Sequence, residues 1–315
     1  MESTASIFVV GSFVAASAVA VRRFPKPGES LAAHAFFLEA GGKGFNVMVA
    51  ARRLGAGVDG ILPIGTDMLA GLAAPAVERA RLPPTILQSF LGATGAGIGF
   101  IDDAGENCLA VYPGANALLS SREIGFRRGT IADATVTMAQ FEIGDEPIKA
   151  AFTIAREAGR ITVLNPSPFR LPDREMLALT SVLLINAVEA EAFASSLAVN
   201  ADDRAALAYA LMAQGPEIVV ITLGSRGALL CWRGHGASQH DAFAVEAIDT
   251  LGAGDAFAAA IAVGLSEQRD WADIIRRACA CGAMVAARRG VFDAFPDTAA
   301  LEAFLSERAT SLSLD

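Results

Sequence analysis

Carboxylates, an ammonium and an amide stand beside runs of small residues at two places in this chain. One is Asp249-Thr250-Leu251-Gly252-Ala253-Gly254-Asp255, which runs directly into the apolar stretch Ala256 to Leu265. With no bulky side chain at Gly252, Ala253 and Gly254, their N–H groups can converge on one anion where a helix begins. The helix dipole adds roughly 0.3–1 kcal/mol for a nearby negative charge, and more in a site closed to water. Asp255 follows that cradle. A carboxylate with an ordinary pKa of about 3.9 is ionised at neutral pH and can accept a proton from an attacking hydroxyl. Cradle and base together suit phosphoryl transfer. The plainer alternative is a glycine turn in which Asp255 only favours the helix dipole. The partial G-x-G-x-x-G spacing has Phe257 where the third glycine belongs and no ribose-binding acid after it, which argues against a dinucleotide site.

The second cluster is Glu39-Ala40-Gly41-Gly42-Lys43-Gly44-Phe45-Asn46, ahead of a helix-like run from Val47 to Leu54. Another helix start is therefore lined by bare backbone, one ammonium and one amide. Asn46 can both donate to and accept from hydroxyls, and Lys43 offers a mobile positive charge for a phosphate. Such a site suits a polyhydroxylated ligand. A solvated loop lysine and a local cap would account for the same two residues.

Both clusters need a scaffold that brings helix starts together. Strand-like Val58 to Ile64, Thr135 to Gln140, Arg160 to Leu164, Val182 to Ile185 and Ile218 to Thr222 alternate with Ala-rich helical stretches, which predicts a mostly parallel sheet covered by helices. Sites in such sheets gather at the carboxyl ends of strands, where Asn186, Thr222 and Asp249 fall. The apolar run Ile7 to Val21 reads as a buried first strand. It follows Glu2 rather than a basic region and is too short to cross a bilayer, so a buried strand is expected here in preference to a signal peptide. Ala33 to Leu38, Ala96 to Ile101 and Asn107 to Tyr112 read as further short strands, with a hairpin at Asp102-Asp103-Ala104-Gly105-Glu106.

These residues resemble the signatures of the ribokinase, or PfkB-type, carbohydrate kinases. Phe24-Pro25-Lys26-Pro27-Gly28-Glu29, Tyr112-Pro113-Gly114-Ala115-Asn116, Asn165-Pro166-Ser167-Pro168 and Thr222-Leu223-Gly224-Ser225-Arg226-Gly227 extend the likeness in the family's order, over essentially the whole chain. The resemblance implies a single α/β domain over 1–315, with a central mostly parallel sheet and a small β-sheet lid from about 13–41 and 94–113. It implies an ATP-dependent kinase of an alcohol group on a sugar or sugar-like substrate. Asp255 matches the family's base, and Gly252, Ala253 and Gly254 its anion hole. Gly41, Gly42, Lys43, Asn46 and Glu142 match acceptor-binding positions. Asn186 and Glu189 match an N-x-x-E motif that organises magnesium and phosphate, and a hard cation that keeps its waters fits an indirect role for both. Thr222, Gly224, Ser225 and Gly227 match the nucleotide loop, although an ordinary hairpin turn reads equally from the residues. Asp249, with backbone carbonyls through Gly290, matches a monovalent-cation site and implies potassium activation. The lid implies closure over the acceptor and a homodimer through its apolar face.

One departure bears on the acceptor. Where ribokinases carry an asparagine and an aspartate after Gly11-Ser12, this chain has Val14 and Ala16. Losing a hydrogen bond to a charged group is worth about 1.5–3 kcal/mol, so ribose itself is not the expected substrate. A larger, deoxygenated, or apolar or heterocyclic acceptor is expected instead, with a nucleoside kinase as the alternative within the superfamily. A sugar-binding regulatory protein without turnover is the alternative outside catalysis.

Composition agrees with a metabolic enzyme. The 315 residues are 53% apolar, enough for a large core, and no linker, repeat or low-complexity tract divides them. A net charge of −9 argues against a nucleic-acid surface, and no membrane partner is expected. Cys108, Cys231, Cys279 and Cys281 show no C-x-x-C spacing and read as buried thiols in a cytoplasmic protein; the three histidines form no zinc pattern.

Overall fold

The computed structural model describes residues 6–104 and 106–311. Its thirteen strands are β1 Ser6–Val10, β2 Val14–Val21, β3 Ala35–Gly41, β4 Gly57–Ile64, β5 Leu87–Ser89, β6 Gly95–Asp102, β7 Asn107–Tyr112, β8 Val136–Gln140, β9 Ile161–Asn165, β10 Val182–Asn186, β11 Ile218–Thr222, β12 Ala228–Trp232 and β13 Gly236–His240. Nine form one sheet in the order β13-β12-β11-β10-β9-β8-β1-β4-β5, and the other four form a separate sheet in the order β3-β2-β6-β7. From β11 to β5 every pairing in the large sheet is parallel, while β12 and β13 close one edge antiparallel.

The strands between the edges read as unbroken apolar runs because both faces of the sheet are covered. Alternate residues serve opposite layers. Val9, Met138, Val163, Leu184 and Val220 pack with helices Lys43–Arg53, Ala253–Ser266 and Trp271–Ala286. Phe8, Val10, Leu164, Ile185 and Ile221 face helices Asp145–Glu157, Ala187–Leu197 and Arg204–Met212. Every residue from Asp255 to Ser266 is buried, as expected of a helix that is apolar all round.

The run Ile7 to Val21 is not one strand. It breaks at Gly11-Ser12-Phe13 into β1, in the large sheet, and β2, in the small one. The buried Asn116 amide holds the break, accepting from Phe13 N at 3.0 Å and donating to Phe13 O at 2.8 Å. Apolar periodicity continues through the break, so only this side chain, 103 residues away, reveals it. The cysteine reading also needs one correction, because Cys108 is exposed; Cys231, Cys279 and Cys281 are buried, and burial raises their thiol pKa values.

Candidate active site

The two glycine clusters meet. Helix Lys43–Arg53 starts at Gly42, with φ +102°, and helix Ala253–Ser266 starts at Gly252, with φ +81°; both starts lack a side-chain cap. Asn46 Nδ2 donates to Asp255 Oδ2 at 2.8 Å, and Lys43 Nζ lies 3.9 Å from Asp255 Oδ1. The alternative of Asn46 as a local cap is therefore not what the structure contains. Asp255 is 6% exposed. Burial pushes its carboxyl up from the ordinary value, opposed by the Lys43 charge and the Asn46 bond and reinforced by the Glu142 charge.

Glu142 comes to the same place from the loop after β8. Its Oε2 accepts from Ser12 Oγ at 2.5 Å and from Lys43 N at 2.8 Å, while Ser12 Oγ also accepts from Gly44 N at 3.2 Å. The backbones here are in van der Waals contact. A Cβ on Gly44 would lie 2.2 Å from Gly11 Cα, and one on Gly42 would lie 2.7 Å from Ser12 O. That close approach is what the glycine run provides, since any side chain would drive the helix start off β1.

A cleft opens beside Asp255 at the carboxyl ends of the strands, lined among others by Lys43, Asn165, Asn186, Glu189, Thr222 and Gly254. Asn186 and Glu189 form a capping box: Asn186 Oδ1 accepts from Glu189 N at 2.9 Å, and Glu189 Oε2 accepts from Asn186 N at 2.9 Å. Glu189 is 4% exposed, and burial raises its carboxyl pKa against Asn186 N, Ser167 and the Lys43 charge. Among the described residues no three His, Cys, Asp or Glu side chains cluster as a metal cage. The Asn186 and Glu189 oxygens face the cleft from one helix start, the kind of hard donor that suits a cation carried on phosphates.

Other expected residues divide. Thr222 lines the cleft, in register with Asn186. Gly224 and Ser225 occupy an exposed turn, φ +60° at Gly224, that joins β11 to β12 as a hairpin. Gly227 is buried under β13, where a Cβ would meet His240 O at 1.9 Å, so its lack of a side chain already serves the hairpin. Ala253 N donates to Thr250 O at 3.2 Å, which removes it from the set of N–H groups converging on an anion and leaves Gly252 and Gly254. Asp249 accepts from Leu251 N at 3.0 Å and from Gly290 N at 3.3 Å, so Gly290 reaches it through its amide and not through a carbonyl.

Val14 and Ala16 lie on the small sheet, in register with Gly41 and Glu39 on β3 and with Gly95 and Gly97 on β6. The same face carries Leu109 on β7, whose Cδ1 would be 3.7 Å from a Cβ on Gly97, with Val14 Cγ1 at 3.5 Å. Hydrocarbon thus lines this face from β2 to β7.

Sequence reasoning missed Ser12, Asn165 and Gln140. Gln140 ends β8 in register with Asn165, is 1% exposed, and neither polar atom of its amide has a partner in the structure. Asn165 stands in the family-like segment Asn165-Pro166-Ser167-Pro168 without a role assigned to it, whereas Ser12 and Gln140 are revealed by proximity alone.

With this geometry in place, comparison with known proteins is decisive. The pattern of the pfkB family carbohydrate kinases matches residues 4–298. The chain belongs to that family. Among curated relatives of this pfkB-family protein is the ribokinase of Mus musculus, 31% identical over 268 residues that cover 84% of this chain and 83% of the relative. A deoxyribokinase of Salmonella typhi is 27% identical over 304 residues, covering 95% and 98%. Among solved structures, the ribokinase of Thermotoga maritima superposes with a TM-score of 0.88 at 28% identity, covering 96% of this chain and 99% of that one. As a pfkB-family member, the protein is an ATP-dependent kinase of the sugar and nucleoside class, and its nine-stranded sheet with a separate four-stranded sheet is the ribokinase fold.

Proposed function

We propose that this kinase transfers the γ-phosphoryl group of ATP to a hydroxyl of a sugar-like acceptor that presents an apolar or deoxygenated part to Val14 and Ala16. The observation that carries the transfer half is the meeting of Asn46 and Lys43 with the buried Asp255, 209 and 212 positions apart in the chain, at one helix start. Asp255 takes the proton of the attacking hydroxyl. Its raised pKa makes it a stronger base than a solvated carboxylate, and a positioned base is worth about 10²–10⁴-fold in rate. Gly252 and Gly254 offer N–H groups to the charge that develops on the transferred group, and Lys43 stands between base and phosphate.

On the acceptor side, Asn46 and Glu142 hold hydroxyls while Gly41 and Gly42 let the ligand approach the backbone. On the nucleotide side, Thr222 and the turn at Gly224 and Ser225 flank the phosphates. Magnesium bound to ATP would be organised by Asn186 and Glu189 through water, and supplies charge neutralisation. Asp249 and the Gly290 segment are the proposed monovalent-cation site, so rates rise with potassium over an inert cation; equal rates in both would remove that assignment. The small sheet acts as the lid, and its second face exposes Phe36, Leu38, Ile98 and Tyr112, which supports pairing with a second copy. Sedimentation showing one chain at all concentrations would refute the dimer. Three buried free thiols suit a cytoplasmic home.

The hydrocarbon of Val14, Ala16 and Leu109 favours a second reading, a nucleoside acceptor whose base occupies the apolar end. ADP release with ATP, magnesium and potassium, measured across pentoses, deoxysugars, hexoses and nucleosides, separates the two. Ribose as the best substrate by a wide margin would defeat the apolar-acceptor proposal. Binding without ADP release, in parent and Asp255→Asn alike, would defeat the kinase assignment.

A further inference from the structure

We propose that Arg53 is a positioning residue for phosphoryl transfer, clamping the segment 290–295 that forms the back wall of the anion hole and the neighbour of Asp249. Arg53 closes the helix whose first turn carries Lys43 and Asn46. Its Nη1 donates to three backbone carbonyls of one short segment, Phe292 O at 3.0 Å, Asp293 O at 3.3 Å and Phe295 O at 2.6 Å. The same guanidinium lies 5.6 Å from the Phe292 ring centroid, on which Arg79 stacks at 4.3 Å, and Arg79 Nη2 pairs with Asp293 Oδ1 at 2.5 Å. The Phe292 ring also tilts against Phe45 of the Lys43–Arg53 helix at 6.2 Å.

The clamped segment touches the anion hole directly. A Cβ on Gly252 would lie 2.9 Å from Val291 Cγ1 and 3.5 Å from the ring of the fully buried Phe295. At its other end Gly290 N donates to Asp249 Oδ2. Arg53 therefore ties three things to one rigid element: the helix that presents Asn46 to the base, the wall behind Gly252, and the loop that faces Asp249. A guanidinium suits this task because its two terminal nitrogens divide the work, Nη1 meeting the three carbonyls while Nη2 faces the Asp293 carboxylate at 4.0 Å, an arrangement that the single nitrogen of a lysine cannot reproduce. Loosening the clamp lets the wall and the Gly252 turn drift relative to Asn46 and Asp255, and small misplacements of this kind are expensive in rate.

The test uses Arg53→Lys and Asp293→Asn in the full chain, with circular dichroism to confirm folding and potassium titrated against an inert cation. Asp293 is exposed, so its variant loosens the segment without threatening the core. Arg53→Lys is expected to lower kcat about tenfold with little change in KM for either substrate. It is also expected to raise the potassium concentration for half-activation severalfold; Asp293→Asn should move both in the same direction by less. A folded Arg53→Lys with the parent's kcat and potassium response, even if less heat-stable, would overturn the proposal. The potassium arm rests on the cation site proposed above. If the parent ignores potassium, that site falls, and kcat alone decides whether Arg53 positions the anion hole.

Discussion

The cleft around Asp255 and the Val14 face of the small sheet are built on different principles. At the transfer end, each carboxylate is held by hydrogen bonds: Asp255 by Asn46, Glu189 by its own helix start, Glu142 by Ser12 and Lys43 N. On the small sheet, the face of Val14 and Ala16 also carries Ala18, Phe37, Gly97, Gly99, Leu109 and Val111, with Glu39 a charged exception. Charged groups at fixed spacing carry chemistry that is intolerant of movement, because desolvated charges must stay paired. A hydrocarbon face carries selectivity and tolerates change, since swapping one small apolar side chain for another alters little but fit. On the proposed assignments, the reaction and the choice of acceptor are separable in this molecule.

The largest expected effect breaks the transfer end. Asp255→Asn should lower kcat by about 10²–10⁴-fold while acceptor binding, followed by calorimetry, persists. Next, rebuilding the Val14 face should redirect selectivity without touching chemistry. The double change Val14→Asn with Ala16→Asp should raise kcat/KM for ribose by about 10–100-fold and lower it for the parent's own acceptor; an unchanged preference would show that selectivity lies elsewhere.

Lys43 lines the cleft just after β3 of the small sheet. Lys43→Gln should reduce kcat/KM about tenfold at neutral pH. Because the Lys43 charge lowers the Asp255 pKa, its removal should also move the acidic limb of the kcat/KM profile to higher pH. That limb in the parent should itself lie above the usual carboxylate range, since burial is the dominant influence on Asp255 and the base works deprotonated. The smallest effect is on stability. A carboxyl with a raised folded pKa contributes stability that is fully present below its ordinary value of 3.8 and lost as pH rises through the folded value. Asp255→Asn removes that loss, so at neutral pH it should unfold at a higher temperature than the parent, with the difference vanishing in acid. A scan that finds the variant less stable at pH 7 would refute the account of this pKa.

How legible these features were in the sequence depended on whether their signal was local. Gly42 and Gly252 announce helix starts because positive φ and close backbone approach select glycine whatever lies across the chain. The central strands announce themselves because burial on both faces leaves unbroken apolar runs. The division of Ile7 to Val21 was hidden, since both halves are apolar and the break depends on Asn116. Ser12 binds Glu142 across 130 positions and Arg53 reaches Phe292 across 239, with no spacing to betray either. Gly227 illustrates the opposite risk: a glycine expected at the nucleotide has a sufficient reason in the hairpin beneath it.

The contact between Gly44 and Gly11 has a consequence for how this protein can change. With 2.2 Å between a Cβ at one position and the Cα of the other, no single substitution at Gly44 can be accommodated without moving the backbone at Gly11 and Ser12, just after β1. A random library selected for turnover should therefore return position 44 unaltered while returning many residues at 14 and 16. Under the proposed lid assignment, new acceptors would be reached by walking along the small sheet, with the pair of glycines as the fixed point about which the walk takes place.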